Sequence, residues 1–177
     1  MMTKIAQIPN VEFLGDALPF VGRIREIIEA IHLFEDFEAD ELEGLARYMR
    51  CYRAPPGSEV ICEGEDGDFM LLLLDGNAEI VKKDVRRLPQ IMARAGPGKT
   101  LGEMSLIDGA PRFASCIALD AIEFAVLDRE TLSRIIAEEP RIGVKLMTEL
   151  LMLLNQRLRS VTARLLDCME ARRSRIR

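Results

Sequence analysis

The chain has 177 residues, 49% hydrophobic and 30% charged, the size and balance of about one globular domain with a core of its own. Its 24 basic and 29 acidic side chains leave a net charge of −5, which argues against nonspecific nucleic-acid binding by the whole molecule. A single histidine and four cysteines without CxxC spacing point away from a metal site, a disulfide framework and Ser-His or Cys-His catalysis, and no run reaches the ~18 apolar residues of a membrane span.

The opening MMTKIAQIPNVEFLGDALPF lacks a continuous apolar core and carries Pro9, Asn10, Glu12 and Asp16, so it does not read as a signal peptide. Cys51, Cys62, Cys116 and Cys168 read as reduced thiols, and the expected compartment is the cytoplasm. Residues 1–49 read as a helical lead-in. Ile24, Ile27, Ile28, Ile31 and then Leu33 to Leu45 recur at helical spacing with a break near Asp36 to Asp40, and Asp40 followed by Glu43 resembles a helix start. The acidic group Glu35, Asp36, Glu38, Asp40, Glu41 and Glu43 reads as a solvated face, and His32 as structural or solvated.

From Arg50 to Asp128 short apolar runs alternate with Pro55-Pro56-Gly57, Gly64, Gly67, Asp75-Gly76, Gly96-Pro97-Gly98 and Gly109, the punctuation of an all-β unit. Asp75-Gly76, between Met70–Leu74 and Ala78–Val81, signals a tight hairpin. About eight strands in this length suggest a jelly-roll-like β-barrel. GPGKT at Gly96 to Thr100 imitates the end of a nucleoside-triphosphate loop, but the first glycine required falls at Ala93 and a strand follows instead of a long helix.

After Asp128 the pattern returns to helix, with Arg129 to Glu138 stopped near Pro140 and a long helix from Ile142 to about Ala171. Met147, Leu151, Leu154, Leu158, Val161, Leu165 and Cys168 follow alternating steps of four and three, the seam of a two-stranded coiled coil. Such a stripe either packs on its own subunit or forms a homodimer. Its three heptads favour the dimer, with Leu146, Leu150 and Leu153 as a second apolar face available to cover a pocket. Seven arginines between Arg157 and Arg177 outnumber Asp167 and Glu170, but no aromatic residues are interleaved to stack on bases, so a nucleic-acid contact is not favoured. The fold class is α+β, an eight-stranded jelly-roll-like β-barrel (50–128) flanked by N-terminal helices (1–49) and two C-terminal helices (129–177), the last one long.

The stretch GEMSLIDGAPRFAS, Gly102 to Ser115, carries the functional signal. Glu103 to Ile107 makes one helical turn whose free N–H groups attract an anion. Arg112, just past the turn Asp108-Gly109-Ala110-Pro111, can aim a planar, permanently charged donor fork at the same spot. Glu103 cannot bind a phosphate, but it can accept a hydrogen bond from a sugar hydroxyl beside one. The pocket therefore suits a small organic phosphate.

This segment resembles the phosphate-binding cassette of the cyclic nucleotide-binding domain family, whose pattern Gly102, Glu103, Ser105, Pro111, Arg112, Ala114 and Ser115 match in order. PGSEVICEGEDGDFMLLLLDGNAEIV at Pro56 to Val81, GPG at Gly96 and LFEDFEADELEGLARYM upstream are similar to the family's other parts, so the resemblance covers roughly residues 30–160. It implies a regulatory module that is not an enzyme, with cAMP rather than cGMP as ligand and neither metal nor cofactor. The ligand-binding residues it implies are Gly102, Glu103, Met104, Ser105, Arg112, Phe113, Ala114 and Ser115. Asn155, Gln156 and Arg157 lie where the family's last helix can meet the purine, and the long helix is implied as a homodimer interface. Phe113 stands where the family usually has Ala, Ser or Thr, so its N–H remains available but a hydroxyl that helps choose between adenine and guanine is missing. Transcription regulation would require a helix-turn-helix domain of ~60 residues after the long helix, where the sequence stops at Arg177, so the expectation is a separate or missing effector. The rival reading is a ligand-free dimerisation scaffold in which Glu103 neutralises Arg112.

Overall fold

The run FMLLLLD has apolar side chains on both faces of one strand, and the fold follows from giving each face its own cover. The computed structural model describes residue 5, residues 8–31 and residues 37–174, without the side chains of 28–31 and 172–174. The elements are β1 (Glu12–Asp16), a 3-10 turn (Leu18–Phe20), α1 (Val21–Ile31), α2 (Ala39–Ala46), β2 (Arg50–Ala54), β3 (Glu59–Ile61), β4 (Phe69–Asp75) and β5 (Ala78–Lys83). They continue with β6 (Pro89–Ala95), β7 (Thr100–Leu101), α3 (Glu103–Asp108), β8 (Ser115–Ala118), β9 (Ile122–Asp128), α4 (Arg129–Glu138) and α5 (Pro140–Ser174). His32, Leu33, Glu35 and Asp36, the side chains of Ile28 and Ile31, and those of the arginines beyond residue 171 lie outside the described residues.

The strands form two antiparallel sheets, ordered β1-β2-β9-β4-β7 and β3-β8-β5-β6. Leu71 and Leu73 of β4, with Phe124 and Val126 of β9, meet Val60, Ile61, Ala78, Cys116 and Ala118 of the second sheet in one core. Their neighbours Met70, Leu72, Leu74, Ala125 and Leu127 point the other way and join Leu42, Leu45, Leu132, Ile135, Leu146 and Leu150 of the helices in another. Six consecutive residues of β4 are therefore buried, as expected of a strand covered on both sides. Truncating Leu71 or Leu72 to Ala would cost roughly 2–5 kcal/mol.

Several expectations change. Among the described residues there are nine strands, of which eight, β2 to β9, lie between Arg50 and Asp128 and one precedes them. Glu12–Asp16, inside the stretch read as a helical lead-in, is a strand that extends the first sheet along β2, with a register shift between Phe13 and Gly15. Such an edge strand is set by tertiary pairing rather than by a long local pattern. The helix start lies two residues earlier than Asp40, because Glu38 and Glu41 form the capping box of α2. Asp75-Gly76 does not close a hairpin, since β4 and β5 belong to different sheets. Gly76 adopts φ +75°, and Asn77 donates its backbone N–H and its side-chain amide to Asp120 at 2.6 and 3.0 Å, which turns the chain from one sheet into the other. Pro140 opens α5 rather than merely stopping α4, because at the first helical position its missing N–H is no loss.

The buried Glu41 ties α2 to α5 through Lys145, with Arg141 Nε at 3.0 Å from its other oxygen. Leu146 and Leu150, expected to cover a pocket, instead pack on the outer face of the first sheet. The seam residues Leu151, Leu158, Val161 and Leu165 remain 69, 66, 63 and 59% exposed, Met147 is 36% exposed and Leu154 is half-buried. Cys168 is also exposed, and all four cysteines are free thiols.

Candidate functional site

The site is built where β7 leaves the first sheet and β8 enters the second. Gly102 links β7 to α3 at φ +87°, and a Cβ there would lie 2.6 Å from Arg112 Nη1 and 2.9 Å from the Phe69 carbonyl oxygen. Only glycine meets both demands. Gly109 ends α3 at φ +72°, and Asp108 accepts from the Ala110 N–H at 2.8 Å, so the chain doubles back and delivers Arg112 beside the start of α3.

Arg112 is 5% exposed. Its guanidinium carbon sits 4.3 Å from the Phe69 ring centroid, and Nη1 donates to the Gly102 carbonyl at 3.1 Å. A Cβ at Gly67 would fall 2.1 Å from Arg112 Nε, so Gly67 makes the slot in which the side chain lies. Arg112 Nη2 is buried without a hydrogen-bond partner. Burial pushes the pKa of the guanidinium down, and the nearby charges of Asp68 and then Glu103 oppose that shift.

Glu103 is 1% exposed. Its Oε2 accepts from Arg157 Nη1 at 3.0 Å, while its Oε1 is buried without a partner. Arg157 comes from α5 and also donates from Nη2 to the Thr100 carbonyl at 2.6 Å. The carboxylate's ion-pair partner is thus Arg157, not Arg112 as the scaffold reading expected.

Gly102, Glu103, Met104, Ser105, Arg112, Phe113, Ala114 and Ser115 all line one cavity of about 120 Å³, with Ile61, Ile80 and Arg157 among its other walls. Of the three positions expected to meet a base, only Arg157 reaches this cavity. Asn155 and Gln156 are exposed, and Gln156 lines a separate groove with Gly98 and Ser160. A wider groove of about 650 Å³ between Pro55–Glu59 and Glu65 presents carboxylates and, among the described residues, no cation, chemistry unsuited to a phosphate.

Three supporting residues escaped the sequence reading. Arg129 donates from Nε to the Leu106 carbonyl at 2.9 Å and from Nη2 to that of Ser105, satisfying carbonyls near the end of α3. Lys82 donates to the Phe113 carbonyl at 2.6 Å and pairs with Glu63 at 2.8 Å, while the Glu63 N–H donates to Ser115 Oγ at 3.0 Å. Gly67 carried a signal as a glycine just before an apolar strand, but Lys82 and Arg129 had none, being single cations far from the cassette in sequence.

The chemistry is specific: a small cavity holds one buried cationic donor and one buried carboxylate oxygen, each without a partner. Burying either group alone is costly. A ligand carrying an anionic group next to a hydroxyl satisfies both.

The profile of the cyclic nucleotide-binding domain family matches residues 52–139. The chain is 28% identical over 142 residues to the CRP-like cAMP-activated global transcriptional regulator of Mycobacterium tuberculosis (strain ATCC 25618 / H37Rv), spanning 80% of this chain and 62% of that regulator's length. It is 33% identical over 109 residues to the cAMP-dependent protein kinase regulatory subunit of Aspergillus fumigatus, 62% of this chain and 26% of the relative. The crystal structure of a cyclic nucleotide-binding domain from Methylobacillus flagellatus KT superposes with a TM-score of 0.82 at 40% identity, covering 89% of each chain. The catabolite activator protein of Thermus thermophilus superposes at 0.66 and 27% identity, over 75% of this chain and 60% of its own. The fold, the cassette and these likenesses agree: the chain belongs to the cyclic nucleotide-binding domain family.

Proposed function

We propose that this protein is a cAMP-responsive regulatory module that passes the presence of its ligand to the long helix α5. The observation that carries the proposal is the pair of orphaned, buried polar atoms in one cavity, Arg112 Nη2 and Glu103 Oε1. The cyclic phosphate takes the guanidinium as a charge-assisted partner, and the ribose hydroxyl donates to the free carboxylate oxygen. Glu103 then serves two masters, the ribose through Oε1 and α5 through the Arg157 bond to Oε2. Any change in the carboxylate's position on binding is felt by the helix, and the difference in contacts between the two states drives the response.

The exposed seam from Met147 to Leu165 supports a homodimer through α5, since a three-heptad apolar stripe in water is stabilised by a second copy. The relatives named for cAMP favour cAMP over cGMP. The output belongs to an effector carried elsewhere, in the reducing cytoplasm that the free cysteines suit. Catalysis has no part in this reading. Calorimetric titration of cAMP and cGMP into the protein and into Arg112→Ala tests it. Saturable binding of cAMP, weaker for cGMP and lost in the variant, is expected. No heat with either nucleotide in the folded protein would refute the sensor and leave the dimerisation scaffold.

A further inference from the structure

Phe113 sits at the mouth of the cavity, 53% exposed, yet it is held in place. The Lys82 ammonium lies 4.3 Å from its ring centroid. The same ammonium accounts for the bond to the Phe113 carbonyl and for the ion pair with Glu63, whose other oxygen accepts from the Lys83 N–H at 2.9 Å. One cation therefore fixes both the backbone and the ring of this residue. With Lys82 on one face, the ring's exposure leaves its remaining surface open beside the cavity.

Size says what that surface is for. A cavity of about 120 Å³ is well below the roughly 300 Å³ at which pockets begin to enclose most of an organic ligand. With the phosphate on Arg112 and the sugar on Glu103, the base has to lie towards the mouth. Phe113, half exposed among the cavity's walls, offers a broad apolar face there but no hydrogen-bonding group on its side chain to read the edge of a base. Single exposed apolar residues need no explanation. An exposed ring clamped by a cation and lining the ligand cavity is a different case.

We propose that Phe113, held by Lys82, is the platform on which the ligand's base stacks, and that it makes the site select purine over pyrimidine cyclic nucleotides. The inference rests on the reading of the site as one for cyclic nucleotides. Aromatic side chains stack on bases through the π-face, and a two-ring purine overlaps the phenyl group more than a one-ring pyrimidine does. Removing such a platform weakens binding by about 5- to 150-fold.

The test titrates cAMP and cUMP into the wild type and into Phe113→Ala, Phe113→Leu and Phe113→Tyr, with the melting temperature of each protein as a control on folding. The wild type is expected to bind cAMP at least ~10-fold more tightly than cUMP. Phe113→Ala should lose ~10- to 100-fold for cAMP and much less for cUMP, flattening the preference, while Phe113→Tyr retains it. Phe113→Leu, of similar bulk without a π-face, should behave like the alanine variant, and it carries the test if the alanine variant fails to fold. Phe113→Ala binding cAMP within ~2-fold of the wild type, or Phe113→Leu matching the wild type in its preference, would overturn the stacking role while leaving the site intact. A wild type that binds neither nucleotide overturns the cyclic-nucleotide reading, and the platform with it.

Discussion

Replacing Arg157 by Ala removes the ion pair that, among the described residues, ties the cavity's carboxylate Glu103 to α5, and its cost can be worked out from the pair's surroundings. At 3.0 Å two unit charges attract by about 5 kcal/mol at an effective dielectric constant of ~20. The Arg157 side chain is 42% exposed, however, so solvent screens it and the net worth falls towards the ~1 kcal/mol ceiling of surface pairs. Glu103, at 1% exposure, pulls the other way, because losing its cation leaves both oxygens of a buried carboxylate without a partner, a penalty of roughly 1–3 kcal/mol. The two considerations meet at about 1–2 kcal/mol, which lowers the melting temperature of a chain this size by roughly 2–8 °C. Differential scanning calorimetry without ligand measures this, with Arg159→Ala as a same-helix control expected to stay within about 0.5 kcal/mol of the wild type. In a Glu103→Gln background, where a neutral amide needs no cation, Arg157→Ala should cost less, giving a coupling of about 1 kcal/mol. On adding cAMP, amide exchange in α5 should slow in the wild type and change much less in Arg157→Ala. Melting identical to the Arg159→Ala control, with zero coupling to Glu103, would refute the argument that this pair joins site to helix.

Gly67→Ala places a methyl group 2.1 Å from Arg112 Nε and should displace the guanidinium, costing at least ~10-fold in cAMP affinity by calorimetry; unchanged affinity would show that the slot is not needed. Leu158→Lys combined with Leu165→Lys should convert a dimer to a monomer in light scattering with little loss of secondary structure, since both side chains are exposed within one subunit; a persistent dimer would move the interface off this seam. The Lys145 hydrogen bond, followed by the Glu38 N–H, holds the Glu41 pKa below the ordinary 4.5. A carboxylate with a depressed folded pKa contributes stability that is present above the unfolded value and lost as pH falls through the folded one. Glu41→Gln should therefore melt earlier than the wild type at pH 7, with a gap that closes as pH drops below 4.5; a gap constant from neutral pH into acid would contradict it. Burial pushes the Cys51 and Cys116 thiols up to about 12, whereas Cys168 is exposed. A disulfide exchange reagent at pH 8 should therefore label Cys168 rapidly and leave Cys51 and Cys116 untouched until the protein unfolds, and rapid labelling of either buried thiol would show the core to be open.

The cassette was legible because it is local. Gly102, Gly109, the Asp108 turn and Arg112 lie within eleven consecutive residues and impose their own geometry, so the eight residues named from sequence arrive at one cavity. The apolar runs, the turn punctuation and the two C-terminal helices likewise follow from patterns within a few residues. What two sides of a strand or helix would touch was not legible. Alternation along Phe69–Asp75 marks two faces but does not say that one meets a second sheet and the other meets helices, and Asp75-Gly76 carries the same letters whether it closes a hairpin or changes sheet. The two stripes of α5 are equally apolar on paper, yet Leu146 and Leu150 are buried while Leu151 and Leu158 face solvent. The partners of the site's charges are longer-range still: Glu103 meets Arg157 across 54 positions, and Phe113 meets Lys82 across 31. Local sequence determined the elements and the turn that delivers Arg112 beside α3, because backbone propensity and spacing act over one or two turns of chain. The tertiary structure alone decided which sheet each strand joins and which cation answers the buried carboxylate, because those choices depend on packing between segments that no local pattern encodes.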